Sequence, residues 1–367
     1  MKLKFPGFKI LDWYIVRKFL GTYLFAIALI IIIVIIFDYA EKVDDFITNK
    51  APFSEIIFSY YLNFIPGFIN QFSGLFTFVA VIFFTSKMAY NTEIVAMLSG
   101  GTSFRRLMWP YFLSAFAIAA LSLSLNLWVI PRANERKLDF EMKYFTRNQN
   151  QKYDADIYRQ IEPGTFVYLR SFTGQSQKAS YFAIEKYEKN KLVESLEAAD
   201  ATYVETTGRW RAPKYIIRRM YGDGEEEFLQ FQRLDTMINL NTAELGKVDN
   251  LIKTMNISEL DDFIDQQKTK GSDMISVFEV ERQSRFSYPI ATFILTLIGV
   301  SLSSRKVRGG TGLHMGLGIG LCFAYILFSR FAEEFAKGGV LPATLSVWMP
   351  NVIFTVIAIW LYVKAPK

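Results

Sequence analysis

Six long apolar stretches, divided three and three by one polar block, dominate the pattern of hydrophobic and polar positions. The apolar stretches cover residues 19–37, 56–86, 107–131, 286–304, 309–329 and 340–363. About 20 apolar residues in an α-helix cross the hydrocarbon core of a bilayer, so each stretch is predicted to be a transmembrane helix. The second stretch is too long for one straight crossing and carries Pro66 and Gly67 near its start. These two residues predict an interfacial start, a kink or a strong tilt.

The polar block changes to a two-residue period from about residue 155 onwards. The alternating segments are 165–172, 179–188, 192–206, 208–222 and 225–234. Such alternation, interrupted by Gly, Asn or Pro, predicts an antiparallel sheet or sandwich. Residues 134–148 and 257–271 show helical spacing instead. The second of these helices is predicted to begin with Ser258 as its N-cap and to end at Gly271.

The distribution of Lys and Arg orients the predicted helices, because cytoplasmic loops carry an excess of these residues. Thirteen of them lie at the N-terminus, in the 87–106 and 305–308 loops and in the C-terminal tail, against three at the opposite helix ends. Both termini are therefore predicted to be cytoplasmic and the polar block periplasmic. This asymmetry accounts for the net charge of +6, so the charge is no sign of nucleic-acid binding. A basic start before an apolar stretch is also typical of a signal peptide, but the lack of a small-x-small cleavage site favours an uncleaved helix.

These patterns predict an α-helical membrane protein with six transmembrane helices and one inserted all-β periplasmic domain. The predicted division places helices one to three at 1–131, the inserted domain with flanking helices at 132–284, and helices four to six at 285–367. Two alternatives stay open. A membrane-embedded enzyme would need several His, Asp or Glu inside its helices, where His314 stands alone. A scaffold or mechanotransmission protein of the FtsX or MacB type would have four spans, with its domain after the first.

The sequence contains no constellation that points to catalysis or to a bound metal. It has no Ser/His/Asp set, no Cys/His metal spacing and no GxxxxGK[ST] motif for ATP. Cys322 is the only cysteine and lies in the fifth apolar stretch, so the inserted domain has no disulfide. We therefore expect a protein that is not an enzyme and binds no cofactor itself. Any ATP hydrolysis must come from another chain.

A short helix is predicted in the loop between the second and third apolar stretches. Asn91 or Thr92 is a potential N-cap, Glu93 lies in the first turn, and Gly100 and Gly101 would end the helix. Its apolar residues are Ile94, Val95, Met97 and Leu98. The helix is too short to span a bilayer and is expected to lie along the membrane surface. It either docks a partner or is an ordinary interfacial helix.

Several segments resemble, in the same order, the LptF/LptG permeases, also called the YjgP/YjgQ family. These segments are ILDWYIVRKFL, TEIVAMLSGGTSFRRL, IPRANERK, ISELDDFI and VLPATLSVWMPN. The resemblance covers essentially the whole chain. It implies a permease subunit of an ABC transporter that extracts lipopolysaccharide from the inner membrane and passes it to a periplasmic jellyroll bridge toward the outer membrane.

The same resemblance implies a set of partners and a division of labour among them. An LptB-like ATPase dimer would hold ATP and Mg²⁺, and its groove would seat residues 88–100 as a coupling helix. A second LptF/LptG-type permease subunit would pair with this chain, and helices one and five would form lateral gates for lipid. The inserted β domain would be jellyroll-like and would hand acyl chains to LptC/LptA-like periplasmic proteins.

The resemblance also leads to two groups of candidate site residues. The ATPase-coupling group is Glu93, Ile94, Met97, Leu98, Arg105 and Arg106, although the two arginines are equally typical of cations that flank a membrane. The phosphorylated sugars of the lipid need cations near the outer surface, and the candidates are Lys42, Arg132, Arg136, Lys137 and Arg330. No metal ligands are assigned. An alternative contact is a divalent cation held by Asp38, Glu41, Asp44 and Asp45.

Two features of the sequence refine this comparison. Well-studied LptG chains carry a lysine in the outer part of the first helix, where this chain has Val34, Ile35, Ile36 and Phe37. The chain is therefore assigned neither to the LptF-like nor to the LptG-like type. In the fifth stretch, Arg330 and Glu334 are spaced as an i, i+4 ion pair, and two GxxxG patterns between 312 and 320 predict close helix contact.

Overall fold

The computed structural model of the protein describes residues 9–145, 152–173, 176–189, 191–204, 206–221, 225–238, 248–269, 274–304 and 312–365. Its helices are α1 (Ile10–Thr48), α2 (Phe53–Tyr90), α3 (Glu93–Ser99), α4 (Phe104–Tyr144), α5 (Val248–Thr254), α6 (Ile257–Thr269), α7 (Ile275–Ser303), α8 (Gly312–Lys337) and α9 (Ala343–Lys364). Within the described residues, six helices are long and apolar enough to cross a membrane: α1, α2, α4, α7, α8 and α9. The predicted three-plus-three arrangement of spans is confirmed.

Two of these helices contain a π-helical segment. In α2 the segment is Ile56–Tyr61 and precedes Pro66, and in α4 it is Leu125–Val129 and precedes Pro131. Proline cannot donate the usual backbone hydrogen bond, and a π segment is one way in which a helix adjusts its ladder. The irregularity predicted near Pro66 therefore lies at the turn before it.

The chain divides into two compact units. The membrane unit contains the described parts of residues 1–42, 61–134 and 279–367, and the second unit contains those of 43–60 and 135–278. In the membrane unit, Phe19 of α1 packs against Phe84 of α2 and Tyr111 of α4, with ring centroids 5.5 and 6.2 Å away. A neighbouring apolar cluster joins α2, α7, α8 and α9 around Ile298 and Cys322.

Proline also shapes the contact between α4 and α7. Pro289 lies inside α7 and has no N–H for the carbonyl of Arg285, one turn earlier. The side-chain amide of Asn126, in the π segment of α4, donates to that carbonyl at 3.2 Å. The Asn126 side-chain oxygen accepts a 2.6 Å hydrogen bond from the side-chain amide of Asn70 on α2. The Asn70 side-chain oxygen in turn accepts one from the Ser122 hydroxyl. A buried polar network thus replaces the missing helix bond.

The second unit contains the inserted β domain, an antiparallel sheet whose strands follow one another in chain order. Its strands are β1 (Lys152–Glu162), β2 (Thr165–Thr173), β3 (Lys178–Glu188), β4 (Lys191–Val204), β5 (Arg209–Met220) and β6 (Glu226–Met237). The predicted inserted β domain is confirmed. Fully buried Trp210 stacks on Phe182, with ring centroids 5.4 Å apart. Gly164 turns the first hairpin at φ 76°, where an added Cβ would lie 2.7 Å from the carbonyl oxygen of Tyr187.

The N-cap predicted for α6, one of the helices that follow the sheet, is wrong. Asn256, and not Ser258, precedes α6 in a capping box: its side chain accepts from the N–H of Glu259 at 3.0 Å, and the Glu259 carboxylate accepts from the N–H of Asn256 at 2.9 Å. Ser258 lies inside the helix, and the predicted end at Gly271 lies outside the described residues. Leu260 and Ile264 of α6 pack with Phe278 of α7.

Candidate functional site

The candidate docking element is α3, which begins and ends in special backbone conformations. Thr92 precedes it in the left-handed region at φ 61°, and its side chain makes no cap but donates to the carbonyl of Asn91. Gly101 follows the helix at φ 84°, a conformation that costs little only for glycine. The turns at both ends set the direction of α3 by their backbone geometry.

The two faces of α3 differ sharply in burial. Ile94 is 1% exposed, and Met97 and Leu98 pack against the same core of the membrane unit. Val95 is 47% exposed, and Ala96 and Ser99 are exposed on the same outer side. Three of the predicted coupling residues therefore pack α3 against the membrane unit of its own chain. The outward surface is made of smaller side chains.

Glu93, the fourth predicted coupling residue, binds α1 at the start of α3. Its carboxylate accepts a 2.6 Å hydrogen bond from the Tyr14 hydroxyl and pairs with the Lys18 ammonium at 3.2 Å. The Lys18 ammonium also lies 4.3 Å from the centre of the Tyr14 ring. Burial alone would raise the pKa of Glu93, but the hydrogen bonds from Tyr14 and Lys18 outweigh this and hold its pKa below the usual value.

A second ion pair joins α1 to the beginning of α4. The Arg106 guanidinium donates to both carboxylate oxygens of Asp12, at 2.5 and 2.6 Å. The Asp12 side chain is fully buried and also accepts from the N–H of Lys9 at 2.7 Å. Arg105, by contrast, is exposed. Of the two predicted arginines, Arg106 is therefore committed to a contact within the chain.

The structure adds Asp12, Tyr14 and Lys18 to the site, which sequence reasoning missed. The available signal was weak: Asp12 is an isolated acid in a basic segment that precedes the first apolar stretch. Nothing local relates it to Arg106, 94 residues further along the chain. Only the packing of α1 beside α3 and α4 brings these groups together.

Most of the predicted lipid-phosphate cations carry an acidic partner. Lys42 pairs with Asp38, and Lys137 pairs with Glu141 at 3.3 Å on α4. Two candidates, Arg132 and Arg136, are exposed on α4.

The ion pair predicted between Arg330 and Glu334 is wrong. Arg330 binds Glu333 at 3.1 Å, and Glu334 binds Lys337 at 2.8 Å. Glu333, at i+3, is only 5% exposed and lies within reach of the guanidinium of the exposed Arg330. The i+4 residue points outward and has a different partner.

Arg330 and Glu333 line a cavity of about 130 Å³ between α2, α7 and α8. The Tyr288 hydroxyl of α7 donates to Glu333 at 2.8 Å at this cavity, and Asn70 of α2 lies on its wall. Most of the remaining wall is apolar, as at Leu75, with Gln71 and Ser329 as further polar residues. The cavity thus joins the buried Glu333, paired with the exposed Arg330, to a mostly apolar surface.

Six membrane helices with a sheet inserted after the third define a multi-pass membrane protein with one inserted β domain. Its described His, Cys, Asp and Glu residues form no group of three or more that could hold a metal ion. The chain matches the family described as lipopolysaccharide export system permease LptF/LptG over residues 13–364, and it belongs to that family. The resemblance stated from the sequence is thereby confirmed. A comparison with individually curated proteins gave no match.

Family membership fixes the general role of the chain. Members are permease subunits of lipopolysaccharide export and are in general not catalytic. The chain is accordingly a multi-pass protein of the inner membrane that works with partner subunits.

Proposed function

We propose that this chain is the permease subunit of an ABC transporter that extracts lipopolysaccharide from the inner membrane and passes it to a periplasmic jellyroll bridge. The observation that carries the proposal is the family match over residues 13–364, because it covers both halves of the membrane unit and the β domain. A scaffold of the FtsX or MacB type is disfavoured, since the described residues contain six candidate spans and the sheet follows the third.

In this proposal α3 lies on the cytoplasmic side and the β domain in the periplasm. The excess of Lys and Arg at the α3 end of the membrane helices supports this orientation. The partner ATPase then binds ATP and Mg²⁺ on the cytoplasmic side, and this chain binds neither.

The outward face of α3 is the proposed docking surface for an LptB-like ATPase dimer. This face consists of Val95, Ala96 and Ser99. These small side chains allow a helix to sit deep in a groove, and Tyr90, the last residue of α2, is 69% exposed and offers an aromatic anchor. Arg105, the second residue of α4, is exposed and extends this surface.

The docking surface is tested by copurification of the tagged chain with its cognate ATPase. Val95→Asp buries a charge at the interface and should abolish copurification, because an unpaired buried charge is strongly unfavourable. Thr206→Asp, on the exposed hairpin between β4 and β5, is the matched control and should retain the ATPase. Undiminished binding by Val95→Asp would place the ATPase elsewhere. Mass spectrometry of the same sample identifies a second LptF/LptG-type subunit and LptC/LptA-like proteins.

The lipid path in this proposal follows the exposed apolar faces of α1 and α8. Ile36 and Phe37 on α1 and Phe331 on α8 are all more than half exposed. Extraction of acyl chains into water would cost about 0.8 kcal/mol per CH₂ group, so an apolar surface must accompany the lipid. Arg132, Arg136 and the Arg330 cavity offer cations for its phosphates.

Photocrosslinking in cells tests the lipid path. Benzoylphenylalanine at Ile36 or Phe331 should give lipopolysaccharide adducts, whereas the same group at exposed Ile359 of α9 should give few. Adducts that form equally at all three positions would indicate only contact with bulk membrane lipid.

A further inference from the structure

The base of α1 is tied to the docking element by three polar contacts. Asp12 binds Arg106 at the start of α4, and Tyr14 and Lys18 bind Glu93 at the start of α3. The three α1 residues lie within two helical turns, so the contacts form one clamp on the first part of this helix.

The clamp has a fixed geometry. A two-pronged guanidinium–carboxylate contact restrains orientation as well as distance, and the buried Asp12 would be left as an uncompensated charge if Arg106 moved away. Glu93 adds a second point of attachment from a different helix. Two points on α3 and α4 resist both sliding and rotation of the α1 base.

Beyond this base, α1 is the most loosely packed helix of the membrane unit. Only 17% of its apolar span is buried within the chain, against 67% for α7. No residue of α1 from Ala28 to Lys42 is buried, and the next buried residue after Ile27 is Phe46, in the part of the helix that belongs to the second unit. The segment from 22 to 48 contains neither Gly nor Pro, so it has no common cause of a kink.

We propose that α1 is a lever driven from its base by α3, with Asp12, Tyr14, Lys18, Glu93 and Arg106 as positioning residues. This rests on the proposed docking of an ATPase at α3. Movement of α3 carries the clamped base of α1, and the rigid helix transmits it to the loosely packed outer part. From Lys18 to Phe37 the helix extends about 28 Å, so a tilt of about 10° moves its outer end by about 5 Å. Such a movement opens or closes the lipid-facing side of α1.

The experiment measures lipopolysaccharide transferred per ATP hydrolysed by the complete complex in proteoliposomes. Lys18→Glu and Glu93→Lys should each lower this ratio by about fivefold or more, and the double exchange should restore most of it, since it reverses the pair without removing it. Arg17→Glu, an exposed position on the same turn, is the matched control and should leave the ratio unchanged. An unchanged ratio in both single variants overturns the proposal.

The same series separates a clamp from direct ATPase contact. If Glu93 touches the ATPase, Glu93→Lys loses the ATPase and Lys18→Glu does not restore it, which overturns the clamp. If the wild-type chain retains no ATPase at all, the proposed function fails. The clamp is then tested by measuring the position of α1 in this chain without the ATPase. For that measurement, Cys322→Ala removes the native thiol, and spin labels at Ile36 and Val356 report the position of α1 relative to α9.

The clamp predicts a broadened label distance in Lys18→Glu and a narrow one again in the double exchange. Identical distance distributions in all variants would show that α1 is held by packing alone. Asp12→Asn combined with Arg106→Gln removes both charges of the second contact and keeps polar side chains at both positions. This pair should broaden the distance in the same way, while a thermal unfolding measurement confirms that the variant is folded.

Discussion

At the scale of single residues, Glu93 makes the attachment of α3 dependent on pH. Its pKa lies below the ordinary value near 4.5, so the attachment is complete above that pH and is lost as pH falls through the lower value of the folded state. Above this pH range we expect the α3 amides to exchange more slowly in the wild type than in Glu93→Gln. Below it, the two proteins should exchange at the same rate. Hydrogen exchange of the wild type and this variant over a pH series checks it. A ratio of wild-type to variant exchange rates that stays constant across the pH series would contradict the expectation.

Trp210 makes a different residue-scale prediction, in the core of the β domain. Its ring is fully buried and stacked on Phe182, while its indole N–H has no hydrogen-bond partner. Trp210→Ala should cost about 3–5 kcal/mol of stability, because it leaves a cavity. Trp210→Phe should cost much less, because it keeps an aromatic ring and removes the unsatisfied donor. Near-ultraviolet circular dichroism during chemical unfolding measures both, and equal losses would show that the indole itself is required.

At the scale of elements, the contact of α4 with α7 depends on the carbonyl that Pro289 leaves unpaired. Asn126→Ala should destabilise the membrane unit by about 1 kcal/mol, a typical cost for a hydrogen bond between membrane helices. In a Pro289→Ala background the helix can satisfy its own carbonyl, and the same change should cost less. Unfolding in mixed micelles across this double-mutant cycle measures the difference. Strict additivity would mean that Asn126 and Pro289 act independently.

Close packing of α7 on α2 gives a second prediction for elements. A Cβ at Gly299 would lie 2.8 Å from Cγ1 of Val81, whose branched side chain is stiff. Gly299→Ala should therefore cost about 1–3 kcal/mol through overpacking. Gly320→Ala is the matched control, since nothing lies within 4 Å of its Cβ position. The GxxxG pattern predicted close contact at Gly316 and Gly320, but among Gly316, Gly318 and Gly320 the tightly packed one is Gly318, against Ile82.

The elements that the sequence predicted well are those with a strong, local physical signal. Apolar length alone identified six spans, and alternation identified β2 to β6 but not β1, because both signals follow from burial along one segment. The partners of individual polar side chains were not predictable in this way. Arg330 pairs with Glu333 and not with Glu334, and Arg106 pairs with Asp12. The burial of each side chain decides its partner, and burial is set by how the helices pack. Which side chains of α3 are exposed was not predictable for the same reason: Ile94 packs inward and Val95 faces out.

At the scale of the whole molecule, the proposed transport requires the β domain and α3 to lie on opposite sides of the inner membrane. We expect this from the excess of Lys and Arg at one end of the helices. In a Cys322→Ala background, a cysteine introduced by Thr206→Cys on the β4–β5 hairpin should react with a membrane-impermeant maleimide in intact spheroplasts. A cysteine introduced by Ser99→Cys on α3 should react only after lysis. Both positions are exposed, so a lack of reaction reports the membrane and not burial. Reaction of Ser99→Cys before lysis would reverse the orientation, and with it both the site of ATP-driven force and the direction in which the lipid leaves.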